Sequence, residues 1–201
     1  SLALTIPSAI ALMVIPQTLV SVLFERGAST VDDTAAIAAA VAVYGLGLPA
    51  FVLQKVLQPI YFAREDTRRP FHFAIVAMVV NVVLAVGLAP YIGWIAPAIA
   101  TTVAGWAMVA CLVIGARKYG ETARFDTRFR SRIWRIVAAA ILMGLALKMG
   151  DAVLESLLHT PWWRGLGLLI LVSIGAVSFF GAGHLLGAFR LAEFKTAMRR
   201  G

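Results

Sequence analysis

Apolar residues arrive in long runs, separated by short charged segments. A membrane helix needs about 20 mostly apolar residues. Six stretches qualify: 2–24, 34–62, 71–90, 95–116, 133–150 and 165–187. Strands of a membrane barrel would alternate polar and apolar positions, and none of these runs does. The pattern therefore predicts an all-α membrane protein of six transmembrane helices. The connections are short, so consecutive helices are expected as antiparallel neighbours. Pro16 falls midway through the first run and frees a backbone carbonyl that neighbouring helices must satisfy. It marks either a helix that bends in use or a static kink. Gln17 beside it suits a helix–helix hydrogen bond.

The second run departs most from a plain span. Its core and the segment after it read YGLGLPAFVLQKVLQPIYFAREDTRRP over residues 44–70. Gly45, Gly47, Pro49 and Pro59 are candidate hinge positions. Lys55 lies among them, flanked by Gln54 and Gln58. A lysine near the centre of a membrane helix costs roughly 2.5–3.5 kcal/mol on insertion scales, and a transport pathway is one way to offset that. Gln54 and Gln58 are one turn apart, and Tyr44 lies about three turns before Lys55 on the same side. These four form the candidate substrate cavity. A second account of Lys55 stays open: its amine snorkels along part of the about 12 Å to Ala63, or forms a structural pair.

The run ends in Arg64, Glu65, Asp66, Arg68 and Arg69, then Pro70. Pro70 is expected to push Arg69 out of helical geometry, making 63–70 a cytoplasmic elbow. Its charges serve either as a gate or as a solvated turn. Further on, Asn81 lies at mid-span, with Thr101 and Thr102 on the next helix. Such residues either make an interhelical hydrogen bond or hold a small cation, although no acid lies nearby in sequence to help. Ala100, Ala104 and Gly105 allow close helix approach, as do Gly175, Ala176, Gly181, Ala182 and Gly183.

Composition agrees with the pattern. Of 201 residues, 61% are hydrophobic and 14% charged, with a mean hydropathy of +0.88. Soluble domains average about half apolar and a quarter charged. The net charge of +8 has its own logic. Fourteen of the eighteen Lys and Arg fall in 64–69, 117–135 and 190–200. Only Arg26 and Arg164 lie in the loops of the opposite face. By the positive-inside rule both termini are cytoplasmic. Membrane topology explains the basic residues without a nucleic-acid partner. Cys111 is the single cysteine and forms no intrachain disulfide. The chain opens at Ser1 in an apolar run too long for a signal-peptide core and without a basic flank. It is expected to be a piece of a longer protein.

Between the fourth and fifth runs, Arg124, Arg128 and Arg132 recur every four residues beside Phe125, Phe129 and Ile133. That pattern suits a helix lying on an anionic lipid surface. The tail repeats it with Leu191, Phe194 and Met198 beside Arg190, Lys195 and Arg199. Thr30 and Asp33 have capping-box spacing, and Trp162 and Trp163 fit an outer aromatic belt. His72, His159 and His184 stand apart from one another. No phosphate loop, metal-ligand spacing or nucleophile motif is present, so neither an enzyme nor a cofactor is implied.

The run GLPAFVLQKVLQPIYFAREDTRRP closely resembles the hallmark segment of the MurJ/MviN lipid II flippases. IPSAIALMVIPQTLVSVLFERG and the following DDT resemble that family too. NVVLAVGLAPYIGWIAPAIATTVAGW is similar to a pattern shared more widely with polysaccharide flippases. The resemblance covers residues 1–118; the last two runs match in position and composition. It implies a fourteen-helix protein of the inner membrane, of which this chain is the ninth to fourteenth helices. Residues 1–118 would be four helices of the second lobe. Residues 119–132 would be a basic interfacial segment, 133–187 two extra membrane helices, and 188–201 a cytoplasmic amphipathic tail. The implied activity is outward translocation of undecaprenyl-linked peptidoglycan precursor by alternating access. The implied partners are lipid II, the missing N-terminal lobe and anionic lipids. Lys55 would lie near the central cavity, residues 64–69 beside the inner gate, and the last two spans along a groove for the lipid tail. Some members pair an Asn and a Thr with an acid as a sodium site. Asn81 and Thr101 match, but Ala85 stands where the acid would be. A related polysaccharide-lipid or drug exporter and a non-transporting membrane scaffold remain as alternatives.

Overall fold

A computed structural model describes residues 2–24, 31–118, 127–154, 158 and 163–187. Among them there is no strand. The elements are α1 (Leu2–Val14), α2 (Pro16–Phe24), α3 (Val31–Phe62), α4 (Arg68–Ile92), a 3-10 turn (Gly93–Ile95), α5 (Ala96–Ala116), α6 (Thr127–Val153) and α7 (Arg164–Leu185). Among the described residues, four stretches are long and apolar enough to cross a membrane: Asp33–Phe62, Arg68–Ala116, Ile133–Val153 and Arg164–Leu185. The bent pair α1–α2 makes a fifth if it is counted as one span.

The first apolar run is a broken helix. Ile15 interrupts it, and α1 and α2 meet at 81°. Pro16 has no N–H to give to the preceding turn, so the break falls where the sequence placed a bend. The bend is far larger than a proline kink within a continuous helix. Gln17 faces out, and its neighbour Thr18 makes the interhelical bond instead, donating to Asp151 Oδ1 at 2.6 Å.

Pro70 acts differently from expectation. Arg68 and Arg69 are already helical, and Pro70 sits in the first turn of α4. First-turn N–H groups have no intrahelical acceptor, so proline's missing donor costs nothing there. That advantage outweighs the restriction proline puts on the residue before it. The elbow itself is closed by Tyr61 O, which accepts from Arg64 N at 3.0 Å and Asp66 N at 3.1 Å. Glu65 takes a left-handed φ of 57° to allow it.

Two buried clusters organise the helices. One joins Ile15 and Val22 of the broken helix to Ala139, Met143 and Leu147 of α6 and Leu171 of α7. The other joins Ala50, Leu57 and Tyr61 of α3 to Met108 and Leu112 of α5. Small residues set the close approaches. A Cβ on Gly175 of α7 would lie 2.9 Å from Leu147 Cδ2 of α6, and one on Gly105 of α5 would lie 2.8 Å from Phe51 Cε1 of α3. Contacts of residue 73 with 115 and of 81 with 101 make α4–α5 an antiparallel hairpin.

Candidate functional site

Helix α3 is held on two opposite sides. Gly45 faces α1: a Cβ there would lie 3.1 Å from Ala9 O and 3.2 Å from Leu12 Cβ. Nine residues on, about half a turn round the helix, Gln54 faces α5. Its Nε2 donates to Gly105 O at 2.9 Å. Gly47 is on the α5 side too, with Thr102 Oγ1 3.1 Å from where its Cβ would be. Thr102 in turn donates to Val43 O at 3.0 Å. Tyr61 is fully buried and its hydroxyl donates to Leu112 O.

Lys55 follows Gln54 by one residue, about 100° round the helix, and so points between these two contacts. It is exposed. Ile37, Tyr44 and Phe62 share its bearing, seven or eleven residues apart, and are exposed as well. The structure thus brings Tyr44 and Lys55 onto one open stripe of α3, and turns Gln54 into the α3–α5 contact. Gln58 is half-buried between the two directions. The stripe is apolar except for a phenol and an amine, so it offers two hydrogen-bonding groups on a surface otherwise suited to hydrocarbon.

The four hinge candidates lie within a continuous α3, which runs unbroken through Pro49 and Pro59. Gly45 and Gly47 are buried at helix contacts, whereas Pro59 is exposed. In the elbow, Asp66 Oδ2 pairs with Arg69 Nε at 3.2 Å, and Asp66 Oδ1 accepts from Arg69 N at 3.2 Å. Asp66 therefore also caps the start of α4. Arg64 Nη1 donates to Ile60 O at 3.3 Å. Glu65 and Arg68 are exposed.

Asn81 Nδ2 donates to Thr101 Oγ1 at 3.1 Å, joining the two arms of the α4–α5 hairpin. Among the described residues no group of three or more His, Cys, Asp or Glu is placed to hold a metal ion. Ala85, one turn after Asn81, offers no carboxylate beside this neutral pair. An apolar concavity follows α7, lined by Leu166, Leu169, Ile170, Ser173, Ile174 and Val177. His72 and His184 are exposed. Thr30, Trp162, His159, the segment 119–126 and the tail 188–201 lie outside the described residues.

Three contacts escaped sequence reasoning: Thr18 with Asp151, Tyr61 with Leu112, and Trp106 Nε1 donating to Leu46 O at 3.1 Å. Only Asp151 carried a signal, as an acid near the end of an apolar run.

Comparison with known proteins agrees with this picture. The family model described as "Lipid II flippase MurJ" matches residues 1–173. A probable lipid II flippase MurJ of Rhizobium meliloti is 37% identical across 100% of this chain, and the match spans 38% of that protein. The Vibrio cholerae counterpart is 33% identical over 96% of this chain and 37% of its own length. A solved lipid II flippase MurJ in an inward closed conformation superposes with a TM-score of 0.75, at 23% identity over 92% of this chain and 36% of that one. The chain thus spans well under half the length of these relatives. By the extent of the family match and the identity to full-coverage relatives, this chain belongs to the lipid II flippase MurJ family.

Proposed function

We propose that the chain is the C-terminal part of an inner-membrane lipid II flippase, which moves undecaprenyl-linked peptidoglycan precursor outward by alternating access. No bond is made or broken in this reading; the protein exposes a cationic cavity first to one leaflet and then to the other. The observation that carries it is the open stripe of α3. Lys55 and Tyr44 lie on it within the apolar stretch Asp33–Phe62, while α1 and α5 close the opposite sides of the same helix. A cation kept on an open face within an apolar span needs an anionic or hydrogen-bonding partner, and a pyrophosphate-linked lipid supplies one. In the longer protein this stripe faces the upstream lobe across the cavity, with Gln58 at its margin and Gln54 fixing its orientation.

Counting α4–α5 as two spans and α1–α2 as one gives six, and the distribution of Lys and Arg puts both ends in the cytoplasm. The elbow at 64–69 then lies at the inner mouth, where the Asp66–Arg69 pair holds it compact. The four spans before residue 118, with α1–α2 counted as one, are part of the second lobe. The basic segment 119–132 and tail 188–201 rest on anionic lipid, and α7 presents its apolar concavity to the lipid tail of the substrate.

The test is complementation by the full-length protein in cells depleted of their own flippase. Lys55→Ala is expected to abolish growth at normal membrane abundance, and Lys55→Arg to retain part of it. A scaffold that only recruits partners tolerates Lys55→Ala, and full rescue by that variant would overturn the carrier reading.

A further inference from the structure

The broken first span packs on two parts of the molecule, and α1 already leans on α6, where a Cβ on Gly144 would lie 2.9 Å from Ile10 Cγ2. Before the break, α1 leans on α3, where Gly45 brings the two backbones together at Ala9. After the break, Thr18, the third residue of α2, donates to Asp151 Oδ1 at 2.6 Å, two residues from the end of α6. That length is ordinary for a hydroxyl on a carboxylate oxygen, and both groups are half-buried. Like Asn81–Thr101, it joins two helices through side chains alone. The Asn81 bond, however, links two arms of one hairpin. The Thr18 bond spans 133 positions in the chain.

The two buried clusters share no residue. Ile15 and Val22, on either side of Thr18, belong to the cluster with α6 and α7. The α1–α3 seam is a close approach over Gly45, where Ala9 O, Leu12 Cβ and Met13 Cγ would lie 3.1, 3.2 and 3.3 Å from a Cβ, and packed helices of this kind shift by small sliding steps.

We propose that Thr18 and Asp151 form a latch that fixes the angle of the broken helix to the α6–α7 pair, so that the two move as one body against the α3–α5 unit carrying Lys55. Both are positioning residues: neither touches the Lys55 stripe. With the latch closed, the break keeps its 81° bend; with it open, α2 is free to realign with α1 and the seam at Gly45 shifts. This rests on the alternating-access reading for its purpose, but its mechanics can be measured without transport.

The experiment uses the full-length protein in membrane vesicles, free of other cysteines, with Ile37→Cys reporting the exposed outer half of the stripe. The readout is its rate of labelling by a membrane-impermeant maleimide, alongside lipid II movement. Removing the hydrogen bond with Thr18→Val or Asp151→Leu is expected to change labelling by about fivefold, from a net bond worth of about 1 kcal/mol. Asp151→Asn keeps the acceptor and Thr18→Ser keeps the donor, so both should label like the parent. The Thr18→Val/Asp151→Leu double variant should match either single variant. Unchanged labelling in both single variants, or effects that add in the double, would overturn the latch. If Thr18→Val does not accumulate, Thr18→Ala against Thr18→Ser makes the same comparison. Loss of accumulation in Thr18→Ala alone would mark a folding contact and also overturn it. If the parent moves no lipid II while labelling follows this pattern, the transport reading fails and the latch stands.

Discussion

Adding one methyl group at Gly115 tests how rigidly the bundle is locked at the end that carries the 63–66 elbow. A Cβ at this position would sit 2.6 Å from Tyr61 Oη, 2.8 Å from Phe73 Cζ and 3.0 Å from Phe73 Cε2. Ordinary contact begins at 3.4 Å, so the shortfall at the hydroxyl is 0.8 Å. Tyr61 has nowhere to move. It is 0% exposed, its hydroxyl is bonded to Leu112 O, and Phe73 meets its ring edge-on at 6.1 Å. Overpacking of this kind costs about 1–3 kcal/mol. A shortfall of this size in so fixed a site takes the upper end of that range, and alanine's helix preference over glycine returns up to about 1 kcal/mol, so Gly115→Ala should destabilise by about 2 kcal/mol. Tyr61→Phe alone loses one hydrogen bond, about 1 kcal/mol. Independent effects would sum in the double variant. If the hydroxyl is the obstacle, the phenylalanine relieves the worst contact, and the double variant is no less stable than Gly115→Ala. Thermal unfolding of the purified protein in detergent, followed by tryptophan fluorescence, measures all four forms. A Gly115→Ala protein that melts with the parent, or a penalty undiminished by Tyr61→Phe, would refute the argument.

Other expectations follow from single features. Glu65 holds φ at 57°, which costs an L-residue roughly 1–2 kcal/mol; Glu65→Gly should therefore melt at or above the parent and Glu65→Val below it. Asn81→Ala removes the bond to Thr101 and should cost about 0.6 kcal/mol, as membrane hydrogen bonds average. The parent's melting temperature should be the same in sodium and choline chloride; a rise in sodium would indicate a cation at that pair. Gly175→Val forces a branched side chain against Leu147, whose Cδ2 lies 2.9 Å from where the Cβ would be. It should loosen α6 from α7 at a cost of about 1–3 kcal/mol, seen as faster proteolysis between them.

Much of the fold was legible before any coordinates. Long apolar runs bounded by charge give membrane helices because lipid offers no partner for a free backbone amide. Pro16 marked the break in the first span for the same reason. Asn81 and Thr101 were an expected pair, since polar groups in spans bond across helices. The family resemblance, carried by 48–70, held over most of the chain.

Tertiary structure decided which way each helix faces. These spans are apolar on nearly every side, so no amphipathic period announces a packing face. Facing is settled by contacts between residues 51 to 133 positions apart: Gln54 with Gly105, Tyr61 with Leu112, Thr18 with Asp151. Adjacent residues of like promise, Gln54 and Lys55, parted company because one residue is about 100° of helix. Position along the chain determined what enters the membrane; only close packing around small residues determined what meets what inside it.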